Sequence, residues 1–190
     1  MVKALHSRRK SMNTKSITKG AMMAALATIL SYITVYTLPN GGSITAASMV
    51  PIIIIALTCD FKTAIMTSMT YSVVQLLIKP QLPPAQEFAA FIAAILLDYI
   101  IAFSVLGLAG IFAKPFGNKR IGAVFATVMV TFIRFVCHYI SGITIWASYA
   151  PEGTPVWIYS LTYNGSYMAL EGIISVIVIM FIYNSIKIKL

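Results

Sequence analysis

The sequence has little charge, and very little of it is acidic. Only 10% of the 190 residues are charged, and five of them are Asp or Glu. Soluble domains carry about 25% charged residues, so this chain lacks the surface that a soluble protein of its size needs. Disorder is excluded as well, because disordered chains combine low hydrophobicity with high charge. A mean hydropathy of +0.87 and 59% apolar residues indicate a compact integral membrane protein.

The sequence also lacks the motifs of catalysis and metal binding. Cys59 and Cys137 form no CxxC pair and have no His-rich spacing, so we expect two free thiols and no metal site. There is no GxSxG, HExxH or GxxxxGK[ST] pattern. We therefore expect no enzyme, no resident cofactor and no ATPase activity in this chain. A membrane enzyme with His138 as a base is the least favoured interpretation.

Six apolar segments divide the chain. A helix that crosses a bilayer needs about 20 apolar residues, and the second segment is shorter than that. The segments are 17–38, 46–58, 63–78, 88–113, 121–145 and 161–186. Turn-forming clusters such as Pro39-Asn40-Gly41-Gly42 and Pro83-Pro84 separate them. We predict an all-α membrane domain of six transmembrane helices over residues 17–190, preceded by a basic tail over residues 1–16.

The distribution of Lys and Arg predicts the orientation in the membrane. If the N-terminus is cytoplasmic, twelve of the fourteen basic residues lie on the inner side, Lys79 lies outside and Arg134 lies within a helix. The twelve are Lys3, Arg8, Arg9, Lys10, Lys15, Lys19, Lys62, Lys114, Lys119, Arg120, Lys187 and Lys189. Cytoplasmic flanks are enriched in Lys and Arg, so we predict cytoplasmic N- and C-termini in a multi-pass plasma-membrane protein. We interpret the basic tail as a membrane flank and expect no nucleic-acid partner.

Four ionisable residues fall inside apolar segments, namely Asp98, Arg134, His138 and Glu171. Such groups are functional candidates, because an unpaired charge is costly in lipid. Arg134, His138 and Gly142 recur every four residues, so they share one face of a helix. Two structural alternatives stay open at this point. Asp98 and Arg134 could pair only to join two helices, and His138 could be a hydrogen-bonded packing residue.

Aromatic and amide side chains accumulate near the end of the fifth segment and the start of the sixth. They are Trp146, Tyr149, Trp157, Tyr159, Tyr163, Asn164 and Tyr167. Such residues form interfacial belts in many membrane proteins. Together with a carboxylate and an imidazole they also suit a flat organic cation, which stacks on aromatic faces while the carboxylate supplies the opposite charge.

The first apolar segment carries small residues at helical spacing. Ala21 and Ala25 are four residues apart, with Ala24 and Ala27 beside them. Small residues at this spacing let another helix approach closely. The pattern fits either internal packing or the docking of a partner helix.

The later half of the chain resembles the thiamine-specific substrate-binding (S) components of energy-coupling factor transporters. The resemblance is carried by RFVCHYISG at 134–142, WASYAPEG at 146–153, PVWIYS at 155–160 and YNGSYM at 163–168. Shorter stretches, NGGS at 40–43, SMVP at 48–51 and LDYIIAF at 97–103, are similar too. The resemblance implies a six-helix protein that captures thiamine at the outer face. It also implies a separate driving module, made of a transmembrane coupling subunit and two cytoplasmic ATPases.

The resemblance also implies roles for individual residues. The implied substrate-binding residues are Asp98, Tyr99, His138, Gly142, Trp146, Tyr159 and Asn164. Asp98 would face the positive end of the ligand, Trp146 would stack on a ring, and His138, Tyr159 and Asn164 would form hydrogen bonds with polar atoms. Ala21 and Ala25 match the family's motif that contacts the coupling subunit.

One stretch departs from the family pattern. Residues 80–97 form a longer connection than the family usually has, without the tyrosine that is expected there. A thiamine precursor or another pyrimidine is therefore an alternative ligand. A second alternative is a stand-alone secondary transporter in which Asp98, Arg134 and Glu171 relay protons.

Overall fold

The computed structural model describes residues 14–85 and 87–185. Within them the chain forms six helices, α1 (Thr14–Tyr32), α2 (Val50–Thr58), α3 (Phe61–Ile78), α4 (Phe88–Ala113), α5 (Lys119–Thr144) and α6 (Val156–Ile182). Strands β1 (Thr34–Thr37) and β2 (Ser43–Thr45) pair antiparallel between α1 and α2. Three of the described helices, α4, α5 and α6 with its final turn to Ser185, are long and apolar enough to cross a membrane. The six-helix membrane fold predicted from the sequence is confirmed.

The largest difference from the predicted segments is the hairpin. The hydropathy pattern predicts a first helix that continues to residue 38, but α1 ends at Tyr32. Residues 34–37 are all β-branched or aromatic, which favours extended backbone. Asn40 (φ 65°) and Gly41 (φ 98°) then supply the left-handed residues of the turn. The predicted tail over 1–16 lies outside the described residues, except that residues 14–16 belong to α1.

Local signals account for several helix ends. Asp60 Oδ2 accepts the Thr63 backbone N–H at 3.1 Å and begins α3, while Asn118 Oδ1 accepts the Arg120 N–H at 2.9 Å and begins α5. Both are N-caps that satisfy backbone donors lacking a partner within the helix. Pro155 lies at the N-cap of α6. Helix α6 begins at Val156, five residues before the start of the predicted segment at residue 161.

The short helix α2 lies in the middle of the protein. Ile52, Ile53 and Leu57 are completely buried there. The helix has nine residues, about 14 Å at 1.5 Å per residue, so it spans only part of a bilayer. Helices α1, α3 and α4 pack around it, and α5 packs along α6 and against α4.

Helix α4 is irregular where it meets α3 and α5. A π-helical turn runs from Ile95 to Ile101 and contains Asp98 and Tyr99. Such turns widen a helix and are frequent at functional sites. The Ser72 hydroxyl of α3 donates to the Tyr99 carbonyl at 2.8 Å, which helps to satisfy the altered backbone. The irregular turn places Asp98 opposite α5.

Candidate functional site

A cavity of about 170 Å³ lies beneath the hairpin, among α3, α4, α5 and α6. All seven residues that the resemblance assigns to substrate binding line it. They are Asp98 and Tyr99 from α4, His138 and Gly142 from α5, Trp146 just after α5, and Tyr159 and Asn164 from α6. Residues far apart in the sequence are thus gathered around one space. Arg134 and Glu171 line the same cavity.

The Asp98 carboxylate is the centre of a hydrogen-bond network. Its Oδ1 lies 3.0 Å from His138 Nδ1, and its Oδ2 accepts from the Ser141 hydroxyl at 2.7 Å and from Trp146 Nε1 at 2.9 Å. The side chains of Asp98 and His138 are only 15% and 12% exposed. Ser141 and Trp146 are neutral donors, so they orient the carboxylate without cancelling its charge.

Asp98 and Arg134 do not pair with each other. Among the described residues, the ion-pair geometry of Asp98 is with His138, whereas the Arg134 guanidinium lies 4.1 Å from the centre of the Phe103 ring. The alternative of a purely structural Asp98–Arg134 pair is therefore wrong. His138 forms a hydrogen bond with the carboxylate, a contact that fits both a hydrogen-bonded packing residue and a residue of the binding site.

A second polar group lies deeper along α5 and α6. Glu171 is 3% exposed, and its Oε1 accepts the backbone N–H of Thr45 from β2. Within the described chain, Glu171 Oε2 and Arg134 Nε are buried without a hydrogen-bond partner. Sequence reasoning marked both residues as intramembrane charges but did not include them among the substrate-binding residues.

Tyr99 connects the cavity to the long connection between α3 and α4. Its hydroxyl donates to the Lys79 carbonyl at 2.7 Å and accepts from the Gln81 N–H at 2.8 Å. The ring of Tyr99 lines the cavity, while its polar atom anchors the first residues of the unusual segment. This fixes part of the segment at the cavity mouth.

Lys79 also lies at this mouth. Its ammonium group donates to the Ser31 carbonyl at the end of α1 and lies 4.8 Å from the centre of the Tyr32 ring. Burial lowers the pKa of the Lys79 amine, because removal from water disfavours the charged form. The negative end of the α1 dipole faces this cation.

Two tyrosines of α6 hold the hairpin turn over the cavity. The Tyr163 hydroxyl accepts the Gly42 N–H at 2.8 Å and donates to the Pro39 carbonyl. Asn40 Nδ2 donates to the Tyr159 hydroxyl at 3.2 Å. The two tyrosine rings are stacked, with centres 5.6 Å apart. Tyr159 and Tyr163, which line the cavity, thus also hold the hairpin in place over it.

Gly142 and Asn164 shape the wall between α5 and α6. A Cβ at Gly142 would lie 2.2 Å from Ser160 Oγ and 2.9 Å from Asn164 Nδ2, so only glycine permits this approach. Asn164 Nδ2 donates to the Ser160 carbonyl at 3.1 Å, and its Oδ1 accepts from the Tyr167 hydroxyl at 3.0 Å. Both residues have a clear packing role at the cavity wall.

Other residues were missed or were left undecided by the sequence. Ser141 is a donor to Asp98 that the sequence reasoning did not single out. Its position three residues after His138 was an available signal, because residues three apart share a helix face. Tyr149 lines the cavity near Trp146, with ring centres 5.5 Å apart. Trp157 is 56% exposed and lies outside the cavity lining, which fits an interfacial belt.

The small residues of α1 divide between two environments. Ala24 and Ala27 are buried in the interior. Ala21 and Ala25 are exposed, with the exposed Met22 beside them. Internal packing thus explains Ala24 and Ala27, whereas Ala21 and Ala25 are available to lipid or to a partner.

Cys59 and Cys137 are free thiols, as expected. Residues 14–85 and 87–185 contain no group of three or more His, Cys, Asp or Glu residues suited to a metal ion. The site thus consists of one oriented carboxylate, neutral donors and aromatic faces, together with a deeper guanidinium and carboxylate. This arrangement can hold a flat organic cation.

Comparison with known proteins gives consistent matches. The family model described as thiamine transporter protein (Thia_YuaJ) matches residues 17–190. The thiamine transporter ThiT of Bacillus subtilis (strain 168) is 36% identical over 174 residues, covering 86% of this chain and 87% of that protein. ThiT of Lacticaseibacillus paracasei is 28% identical over 181 residues, covering 86% and 84%. The solved structure of ThiT from Listeria monocytogenes has the same fold, with a TM-score of 0.73 and 22% identity over 90% of this chain and 94% of that one.

Proposed function

The chain belongs to the thiamine transporter protein family Thia_YuaJ, and from this we propose that it is the thiamine-binding membrane subunit of an energy-coupling factor importer. Its membership makes it a membrane protein of thiamine transport. The finer proposal is that it captures thiamine at the outer face and releases it only when a separate ATP-driven module acts on it. Substrate binding and energy supply then reside in different chains.

The observation that carries the proposal is the oriented charge of Asp98. Thiamine contains a permanently positive thiazolium ring linked to an aminopyrimidine. The Asp98 carboxylate, held by Ser141 and Trp146 at 2.7 and 2.9 Å, offers the opposite charge in a half-buried site. Trp146 offers an aromatic face for a cationic ring. A neutral ligand would leave that carboxylate uncompensated, which is costly away from water.

The remaining assigned residues supply specificity. His138, Tyr159 and Asn164 line the cavity and carry donors and acceptors for the polar atoms of the ligand. Tyr99 contributes its ring. Gly142 allows α5 and α6 to approach closely and so determines the width of the cavity at this level.

The coupling partners follow from the same proposal. The chain has no phosphate-binding loop, so we assign ATP hydrolysis to two cytoplasmic ATPase subunits and their contact with this chain to a transmembrane coupling subunit. Ala21 and Ala25, exposed on α1, form the proposed docking positions. The cytoplasmic location of both termini belongs to this proposal, since it places α1 with its basic flank toward the ATPases.

Binding and uptake assays test the proposal together. The purified full chain should bind thiamine without ATP, as measured by calorimetry, and more tightly than it binds an isolated aminopyrimidine precursor. Proteoliposomes should accumulate thiamine only when the coupling subunit, both ATPases and ATP are present. Accumulation by the chain alone under a pH gradient would overturn the proposal and favour the secondary transporter. Tighter binding of the precursor would instead change the assigned substrate.

A further inference from the structure

Four residues with charged side chains line the cavity. Asp98, Arg134 and Glu171 all line it within the membrane-spanning helices. With His138 counted as the neutral form that donates from Nδ1 to Asp98, two carboxylates face one guanidinium. The fourth charge, Lys79, lies at the mouth and interacts with the Ser31 carbonyl at the end of α1. With both carboxylates ionised, the part of the cavity that lies within the helices carries one net negative charge.

Arg134 lies on the helix that carries His138, and Glu171 lies on the helix that carries Asn164. Arg134 precedes His138 by one turn of α5, about 6 Å along the helix. The described residues show no ion pair between Arg134 and Glu171, and both line the cavity with Asp98, where charges act on each other by Coulomb interactions. In surroundings of low dielectric such interactions extend over several ångströms, and salt does not screen them well.

Neither residue has its hydrogen-bonding capacity filled. Arg134 stacks on Phe103, and its Nε has no partner in the described chain. Glu171 uses one oxygen for the Thr45 N–H and leaves the other without a partner among the described residues. A role limited to joining helices would use these groups in direct pairs. Because Arg134 and Glu171 are not paired with each other, each can act on a ligand in the cavity through its charge.

We propose that Arg134 and Glu171 set the charge of the cavity, so that the site selects a ligand with one positive charge over a neutral molecule of the same shape. Asp98 alone would attract a cation. Glu171 adds a second negative charge, and Arg134 offsets one of the two. This inference rests on the proposed function for the identity of the ligand, and it assigns a role in specificity to two residues that do not belong to the seven.

The test compares thiamine with 3-deazathiamine, in which carbon replaces the charged ring nitrogen and the ring is neutral. The measured quantity is the ratio of the Kd of the neutral compound to the Kd of thiamine. Glu171→Gln keeps an oxygen for Thr45 but removes a negative charge, so the ratio should fall about tenfold. Arg134→Gln removes the opposing charge, so the ratio should rise about tenfold.

Two controls separate charge from structure. Arg134→Lys keeps the charge but loses the planar group that stacks on Phe103, so both affinities can fall while the ratio stays within about twofold of the wild type. Ser175→Ala changes a fully buried hydroxyl one turn beyond Glu171 on α6, outside the cavity lining. It should leave the ratio and both affinities unchanged.

The outcomes are distinguishable. Opposite shifts of the ratio in Glu171→Gln and Arg134→Gln support the inference, and a ratio unchanged in both overturns it while leaving thiamine binding intact. If Arg134→Gln does not remain monodisperse in gel filtration, the Kd ratio of the isosteric variant Glu171→Gln alone tests the inference. A fall in that ratio supports the inference, and an unchanged ratio overturns it. If the wild type binds neither compound, the proposed function fails, and this inference fails with it.

Discussion

Replacing Asp98 by asparagine removes one charge and leaves the shape of the side chain almost unchanged. The amide oxygen can take the position of Oδ2, where it accepts from Ser141 and Trp146 as the carboxylate does. The amide nitrogen then faces His138 Nδ1, which can accept once the imidazole proton moves to Nε2. The network survives in this arrangement, so the substitution isolates the contribution of charge to binding.

The expected loss of affinity is worked out from Coulomb's law. Two unit charges about 6 Å apart interact by about 2–3 kcal/mol at an effective dielectric of about 20. Each 1.4 kcal/mol corresponds to about a tenfold change in Kd. Asp98→Asn should therefore weaken thiamine binding by about 30- to 140-fold. The thermal unfolding temperature without ligand should change little, because lost charge-assisted hydrogen bonds are offset by the lower cost of burying a neutral group.

The two tryptophans provide the assay. Trp146 contacts Asp98 in the cavity, whereas Trp157 is 56% exposed and outside it. In a Trp157→Phe background, quenching of the fluorescence reports only on Trp146. Titration with thiamine then gives the Kd of this background chain and the Kd of the same chain carrying Asp98→Asn, and calorimetry checks both values.

Two results would refute this reasoning. A Kd for Asp98→Asn within about threefold of the control would show that the carboxylate does not compensate the ligand charge. Equal loss of affinity for thiamine and for its neutral isostere would show that the substitution acts through the structure of the site. The Trp157→Phe chain by itself should bind as the wild type does.

Four further substitutions test other parts of the site and the proposed docking positions on α1. Trp146→Ala should weaken binding at least about tenfold, because it removes an aromatic face and a donor to the carboxylate; calorimetry measures this. Gly142→Ala should lower the free energy of unfolding by about 1–3 kcal/mol, since its Cβ would clash with Ser160; thermal unfolding of the purified chain checks it, and an unchanged midpoint would contradict it. Ala25→Trp on the exposed face of α1 should abolish uptake and co-purification with the coupling subunit while leaving thiamine binding intact. Ala24→Trp is the control, and it should destabilise the chain because Ala24 is buried in the interior. Loss of thiamine binding in Ala25→Trp would indicate a fold defect instead.

Local composition was sufficient to predict most of the helices. The apolar segment predicted over residues 88–113 has the same bounds as α4. Long apolar runs between turn-forming residues leave few alternatives, since the backbone must satisfy its own hydrogen bonds in lipid. The hairpin at 34–45 was not predicted, because its apolar strand directly follows an apolar helix. Hydropathy does not distinguish the two, and the pairing of Thr34 with Thr45 is a tertiary contact.

The alanines of α1 show what a sequence pattern alone leaves open. Four alanines at helical spacing are equally compatible with internal and external packing. Only the position of α2 and α3 against α1 decides that Ala24 and Ala27 are inside and that Ala21 and Ala25 are not. The resemblance alone singled out Ala21 and Ala25 as docking positions, and only the fold shows that they are exposed.

By itself the sequence determined the membrane class, the approximate helices and a set of residues able to hold a flat cation, because hydropathy and side-chain chemistry are properties of single positions and short spacings. It also placed Arg134, His138 and Gly142 on one face, since that follows from the period of a helix. Only the tertiary structure decided that Asp98 meets His138, Ser141 and Trp146 while Arg134 lies on Phe103. Those partners depend on a π-helical turn in α4 and on the packing of α4 against α5, and no short stretch of sequence specifies the distance between two helices.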